Sequence, residues 1–295
     1  MIAQNRGIRV TACIVLTILS LSCVLPLVLL LSSSFTSESS LMRNGYSLWV
    51  REFSLEAYQY LWHSRDQLLR AYGITFLVTI LGTASSVTVT TLLAYALSRK
   101  TLPGRTFLSF YVFFTMLFSG GLVPSYLMWT QTFHIKDTLW ALILPNLLMN
   151  GFAVIVVRTY FTTNIPNEIL EAARIDGAGE WKTLVQIVIP LSTPILATIA
   201  LLSGLAYWND WINGLYYLVV RTDLFTIQNL LNRILSSTDF MKNAASNSAI
   251  TAGIQVPSIG IRMAIAIIAL LPILAVYPFL QKGFVKGIVI GGVKG

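Results

Sequence analysis

The sequence predicts an all-α membrane protein with six transmembrane helices, and three observations predict it. Hydrophobic residues fill 55% of the 295 positions. Charged residues fill only 11%, well under the roughly 25% usual for soluble domains. Long apolar runs recur along the chain, each able to cross a hydrocarbon layer about 30 Å thick. Such runs must be helical, because an open strand in lipid would leave backbone N–H and C=O groups without partners.

The spans run over about 8–34, 71–97, 106–129, 138–160, 191–219 and 259–280, within a single transmembrane domain of residues 1–295. The first carries Cys13 and Cys23, ten positions apart on one helix and so unable to pair. They read as small apolar side chains. The run is longer than the hydrophobic part of a signal peptide, and no A-x-A-like site follows it. The third contains Phe118-Ser-Gly-Gly-Leu-Val-Pro-Ser-Tyr126, where two glycines and a proline interrupt the helix. Interrupted helices in transporters often border a cavity, and tight packing explains the same residues equally well. The sixth is followed by Gly283, Gly287 and Gly291, either a close-packing face or a flexible basic tail.

Orientation follows from the short connections. Arg6 and Arg9 precede the first span, Arg99, Lys100 and Arg105 join the second to the third, and Lys282, Lys286 and Lys294 follow the sixth. These clusters place both termini in the cytoplasm, and they explain the net charge of +8 through lipid headgroups rather than nucleic acid. Two long outer loops then cover about 35–70 and 220–258, and the charged connection 164–190 is cytoplasmic.

Several chemistries are missing. No G-x-x-x-x-G-K-[ST] phosphate cradle, G-x-S-x-G elbow or H-E-x-x-H helix occurs, so the chain binds no ATP in the P-loop manner. His63 and His134 lack a ligand cluster at metal-binding spacing. The chain is expected to be no enzyme, and to hold no metal and no cofactor of its own.

The connection itself is unusual. Within residues 168–182 lie six charged side chains, Glu168, Glu171, Arg174, Asp176, Glu180 and Lys182. Pro166 suits a helix start, Asn164 or Asn167 can cap it, and Glu168 and Glu171 favour its positive end. Gly177 suits a left-handed stop. The spacing predicts a helix over Pro166–Asp176, with Ile169, Ala172 and Ala173 on one face, then a second amphipathic turn with Trp181, Leu184 and Ile187. Pro190 and Pro194 reset the backbone before the fifth span. A helix this short needs a surface to dock on. That surface is either lipid, with Trp181 as anchor, or another protein.

Here the residues resemble a known family. Glu171-Ala172-Ala173, Gly177 and, after a gap of nine residues, Ile187-x-Ile189-Pro190 match the E-A-A-x-x-x-G-x9-I-x-L-P motif of permeases in binding-protein-dependent ABC importers. Ile189 for Leu is the one departure, and Asp176 and Ala178 match the fuller form found in sugar permeases. The stretches 118–127, 144–161, 207–218 and 271–295 resemble the shorter, MalG-like subunit of maltose-type carbohydrate permeases. Within that set they look closest to permeases served by lipoprotein-type binding proteins for plant or algal oligosaccharides, alginate importers among them. Gly283, where that group usually has Tyr, departs from the pattern.

The resemblance implies a type I ABC importer permease fold in the bacterial inner membrane, in which 164–190 is a cytoplasmic coupling helix. Glu171, Ala172, Ala173, Asp176, Gly177, Ala178, Ile187 and Pro190 would then engage a groove on a separate ATPase. It also implies the partners: a second, related permease, two ATPase subunits holding ATP and Mg, and an extracytoplasmic solute-binding protein.

Span five carries a polar and aromatic group: Trp208, Asn209, Asp210, Trp211, Asn213, Tyr216 and Tyr217. An ionisable residue in a span is expensive and suggests function, and aromatic faces with Asn and Asp suit sugars. Helix packing and an interfacial aromatic belt account for the same residues. Arg221, Arg233 and Arg262 near the outer side favour an acidic sugar, or anchor headgroups. The readings left open are an oligosaccharide importer, the same architecture for another solute, and an ion-coupled secondary transporter.

Overall fold

The computed structural model describes residues 6–63, 65–234, 236, 259–272 and 274. In chain order the helices are α1 (Arg6–Ser34), α2 (Glu38–Asn44), α3 (Glu56–His63), α4 (Arg65–Ser98), α5 (Arg105–Leu117) and α6 (Leu122–Leu127). Then come α7 (Trp140–Ile143), α8 (Gly151–Asn164), α9 (Asn167–Ile175), α10 (Glu180–Thr183), α11 (Ile189–Leu191), α12 (Thr193–Trp208) and α13 (Ile212–Tyr217). Two more follow, α14 over residues 227–234 and α15 (Ile259–Pro272). Stretches of π-helix extend α6 (Met128–Thr132) and α10 (Leu184–Val188). Among the described residues the β-structure is a single bridge between Thr36 and Phe53.

The chain divides into two units, residues 1–68 with 231–273, and residues 69–230 with 274–295. In the first, Phe35 stacks on Phe53 and Tyr58, and Ser34 shares a hydrogen bond with the Tyr58 hydroxyl at 2.8 Å. The Glu38 carboxylate accepts the N–H groups of Ile259 and Gly260 at 2.9 and 3.1 Å, where the positive end of α15 favours an anion.

The second unit is organised around α4. Ala94, Tyr95 and Leu97 near its end pack with Val112 of α5, Val154, Val157 and Phe161 of α8, and Leu184, Val188 and Ile199. Higher up, Val78 packs with Leu142, Ile143, Tyr207, Leu218 and Phe225. A smaller cluster joins Ile135, Ala141 and Tyr217 to Tyr126 and Trp129.

The predicted spans meet different fates. Spans one and two are the continuous helices α1 and α4, and these two are each long and apolar enough to cross a membrane alone. Span three is a bent pair, α5 and then α6 with its π extension, turned through 114° at the Ser119-Gly120-Gly121 break. Span four is not the continuous helix expected. Pro145 supplies no N–H, Asn146 takes a left-handed φ of +62°, and Asn150 restarts the chain by accepting the Ala153 N–H at 3.1 Å. Span five is interrupted after Trp208 and resumes as α13. It is reached through an 83° bend between Glu180–Leu191 and α12, where Pro190 and Pro194 were expected to reset the backbone. Counting each bent pair as one span, up to four crossings among the described residues are long and apolar enough. α15 is a shorter apolar helix, and the end of span six, the glycines after it and most of loop 220–258 lie outside the described residues.

Candidate functional site

The charged connection forms the helix its residues predict. α9 covers Asn167–Ile175 with Pro166 at the cap position, and no side chain caps it. The expected asparagine cap is therefore not made: Asn164 turns back to donate to Thr163 Oγ1 and the Tyr160 carbonyl. The other end closes as predicted. Gly177 has φ +75°, its N–H reaches the Arg174 carbonyl at 3.0 Å, and the Ala178 N–H reaches that of Ala173 at 2.9 Å. This pair of bonds is the Schellman stop. A Cβ at Gly177 would meet open space, so the constraint is backbone conformation rather than room.

The faces of the segment differ from the simple pattern. Ala173 and Ile165 are buried, and Leu170 packs against the cluster that holds Ile165. Ala172, Glu171, Asp176 and Ile169 are exposed, and Ile175 is 87% exposed. In the next turn Thr183, Leu184 and Val188 are buried, while Ile187 is half-buried and Pro190 exposed. The π-helical winding there changes the register on which the expected Trp181–Leu184–Ile187 face relied, and Trp181 stands 69% exposed. The result is an outward surface of carboxylates beside Ile169, Ala172, Ile175 and Trp181.

The polar group of span five is split by the break between α12 and α13. Asp210 Oδ1 accepts the N–H groups of Ile212 and Asn213 at 3.1 and 3.3 Å, covering the start of α13. Asn213 is buried and donates to the Pro145 carbonyl at 3.0 Å. Tyr217 is buried and stacked on Tyr126, and Trp208 is buried edge-on to Phe76. Asn209, Trp211 and Tyr216 are exposed, with Asn209 Nδ2 returning to the Leu205 carbonyl at 2.9 Å. Among the described residues no His, Cys, Asp and Glu cluster could hold a metal.

Residues 86–290 match the family described as binding-protein-dependent transport system inner membrane component. The chain belongs to this family. The permease is 38% identical over 272 residues to Protein LplC of Bacillus subtilis (strain 168), a match covering 92% of the permease and 90% of that protein. It is equally identical, over 280 residues, to the polygalacturonan/rhamnogalacturonan transport system permease protein YtcP of the same strain, covering 95% and 96%. A chain in the crystal structure of a bacterial ABC transporter involved in the import of the acidic polysaccharide alginate shares the fold with TM-score 0.78. That match has 26% identity and covers 95% of the permease and 97% of that chain. The permease is the membrane component of an ABC importer.

Two groups in the permease escaped sequence reasoning. Asp137 holds a left-handed turn, φ +56°, and its Oδ1 accepts the N–H groups of Val219, Val220 and Arg221 at 2.7, 2.8 and 3.1 Å. Burial pushes its carboxyl up, but these three donors outweigh burial and hold it below the usual carboxylate range. The partners lie some eighty residues away, so no local pattern announces them. The second group is a cluster at Glu180, taken up below. The three arginines expected on the outer side are each engaged rather than open. Arg221 is forked onto Asp223 at 2.7 and 2.8 Å, and Arg233 and Arg262 are half-buried with partners of their own.

Proposed function

We propose that this permease forms half of the translocation pathway of an ATP-driven importer for oligosaccharides that contain uronic acids. Residues 1–295 act as a single permease domain of six spans, with both termini in the cytoplasm. A second, related permease completes the pathway. Two ATPase subunits hold ATP and Mg and dock on the coupling segment, and an extracytoplasmic binding protein delivers the sugar. The chain has no catalytic part in hydrolysis.

The observation that carries the reading is the coupling segment. The family motif coincides with a helix closed by a left-handed Gly177, and it leaves Glu171, Ala172 and Ile175 open to a partner. Carboxylates beside exposed apolar side chains on a water-facing surface fit a protein groove better than lipid headgroups. Asp176, Gly177 and Ala178 set the turn that ends the helix, Ala173 seats it on the permease, and Ile187 with Pro190 passes its motion to α12. On the transport side, Asn209, Asp210, Trp211 and Tyr216 would meet the sugar, while Trp208, Asn213 and Tyr217 frame them. The uronate class is supported by YtcP, a permease for polygalacturonan/rhamnogalacturonan, and by the alginate importer.

Glu171→Lys and Gly177→Val test the coupling role in the complete importer in proteoliposomes. Both are expected to abolish transport while the subunits still co-purify and hydrolyse ATP. Unchanged transport in both would refute the coupling assignment. Competition of oligogalacturonate against maltotetraose for uptake tests the cargo, and uptake blocked only by the neutral sugar would reject an acidic substrate.

A further inference from the structure

The coupling reading leaves unexplained how so short a helix carries load into the membrane helices. α9 joins α10 only through the turn at Asp176–Gly179. A turn built on two glycines is a compliant joint. Four side chains bracket it. Arg174 of α9 donates to Glu180 Oε1 at 2.8 Å, across the turn. Tyr95, on the last turns of α4, places its hydroxyl 2.6 Å from Glu180 Oε2 and 3.1 Å from the Glu180 carbonyl. Arg99 donates to the same hydroxyl, lies over the Tyr95 ring at 4.1 Å and pairs with Glu180 Oε2 through Nε at 3.5 Å.

Tyr95 on α4 and Arg99 just beyond its end are held in place. Tyr95 is 7% exposed among Ala94, Leu97, Leu184 and Val188. The Arg99 side chain is 12% exposed, so this cation has little water and depends on its fixed partners. The planar guanidinium suits stacking on the ring while it donates to the hydroxyl.

We propose that Glu180 is a positioning residue that clamps the coupling helix to the cytoplasmic end of α4, so that ATPase motion drives span two as well as span five. Without the clamp, α9 passes its motion on to α10, α11 and span five only through the glycine turn. With it, α9, α10 and the end of α4 move as one body. The arrangement is triangular: Arg174 closes the turn, Tyr95 and Arg99 fix it to α4, and every link meets at one carboxylate. The low pKa of Glu180 agrees with this, set first by the Tyr95 hydroxyl and then by Arg174.

The inference rests on the coupling reading, and one experiment separates the two. The complete importer is assembled with spin labels at positions 100 and 168, after Cys13 and Cys23 are replaced by Ser. Glu180→Gln removes the charge, and the near-isosteric Tyr95→Phe removes only the hydroxyl. In each variant the label-distance distribution is expected to broaden. Stimulation of ATPase activity by the binding protein should fall roughly fivefold or more, with basal hydrolysis within about twofold of normal. The double variant should be no worse than Glu180→Gln alone, because that change already breaks the link to Tyr95. If distances and stimulation stay normal in both variants while Gly177→Val still uncouples, the clamp is wrong and the coupling helix stands. If Gly177→Val also leaves stimulation intact, both fall.

Discussion

Replacing Gly82 by Ala should destabilise the permease, although the same change elsewhere on α4 should not. A Cβ at Gly82 would stand 2.5, 2.6 and 2.7 Å from three carbons of the Tyr207 ring. Carbon atoms in contact sit about 3.5–4.0 Å apart, so the ring must retreat by roughly 1 Å. It has nowhere to go. Tyr207 is 1% exposed, packed with Val78, Ile143 and Leu218, and its hydroxyl donates to the Ile143 carbonyl at 2.9 Å. Overpacking a core costs about 1–3 kcal/mol, and losing the hydrogen bond adds about 1 kcal/mol. The better helix propensity of Ala returns about 0.5–1 kcal/mol, leaving a net loss of about 1–3 kcal/mol. That corresponds to a melting temperature lower by roughly 2–12 °C at about 2–4 °C per kcal/mol. Gly73, on the same helix with open space around it, provides the control, and Gly73→Ala should melt at or slightly above the parent. Thermal unfolding in detergent, followed by tryptophan fluorescence, reads both variants. Tyr207→Leu should erase most of the Gly82→Ala penalty, as expected for two sites in contact. Equal melting of the two glycine variants would refute the close approach of α12 to α4.

Other outcomes are equally definite. Asp137→Ala orphans three backbone donors at 219–221, a loss of about 1–3 kcal/mol, and hydrogen exchange at those amides should rise well above exchange at α8. The Glu180 carboxyl titrates below its ordinary 4.5, so its contribution is complete above that value and is lost as pH falls through the lowered one. Label distances between positions 100 and 168 should therefore hold from pH 8 to about 5 and broaden only in stronger acid; broadening near neutrality would contradict the clamp. Asn213→Ala leaves the buried Pro145 carbonyl without its donor and should lower stability by about 1–3 kcal/mol. Asn209→Ala, on an exposed side chain, should leave melting unchanged and alter only sugar uptake.

The sequence by itself determined the class of molecule and marked out the segment proposed for coupling. Both depend on properties that a linear chain displays. Apolar runs are read directly as spans because lipid imposes a length. The coupling motif is local, with its cap, carboxylates, stop glycine and prolines all within about twenty-five residues. Gly177 could be read as left-handed before any coordinates because the requirement lies in its own backbone.

The tertiary structure decided what depends on distant partners. Span four looked continuous because hydropathy ignores the left-handed turn at Asn146, beside a Pro145 carbonyl that accepts from Asn213 of α13. Burial sorted the polar cluster of span five into framing residues and exposed ones, a division that composition cannot make. Tyr95 and Glu180 lie 85 positions apart, and nothing in either neighbourhood names the other. Only packing α10 on the end of α4 brings them within hydrogen-bond reach.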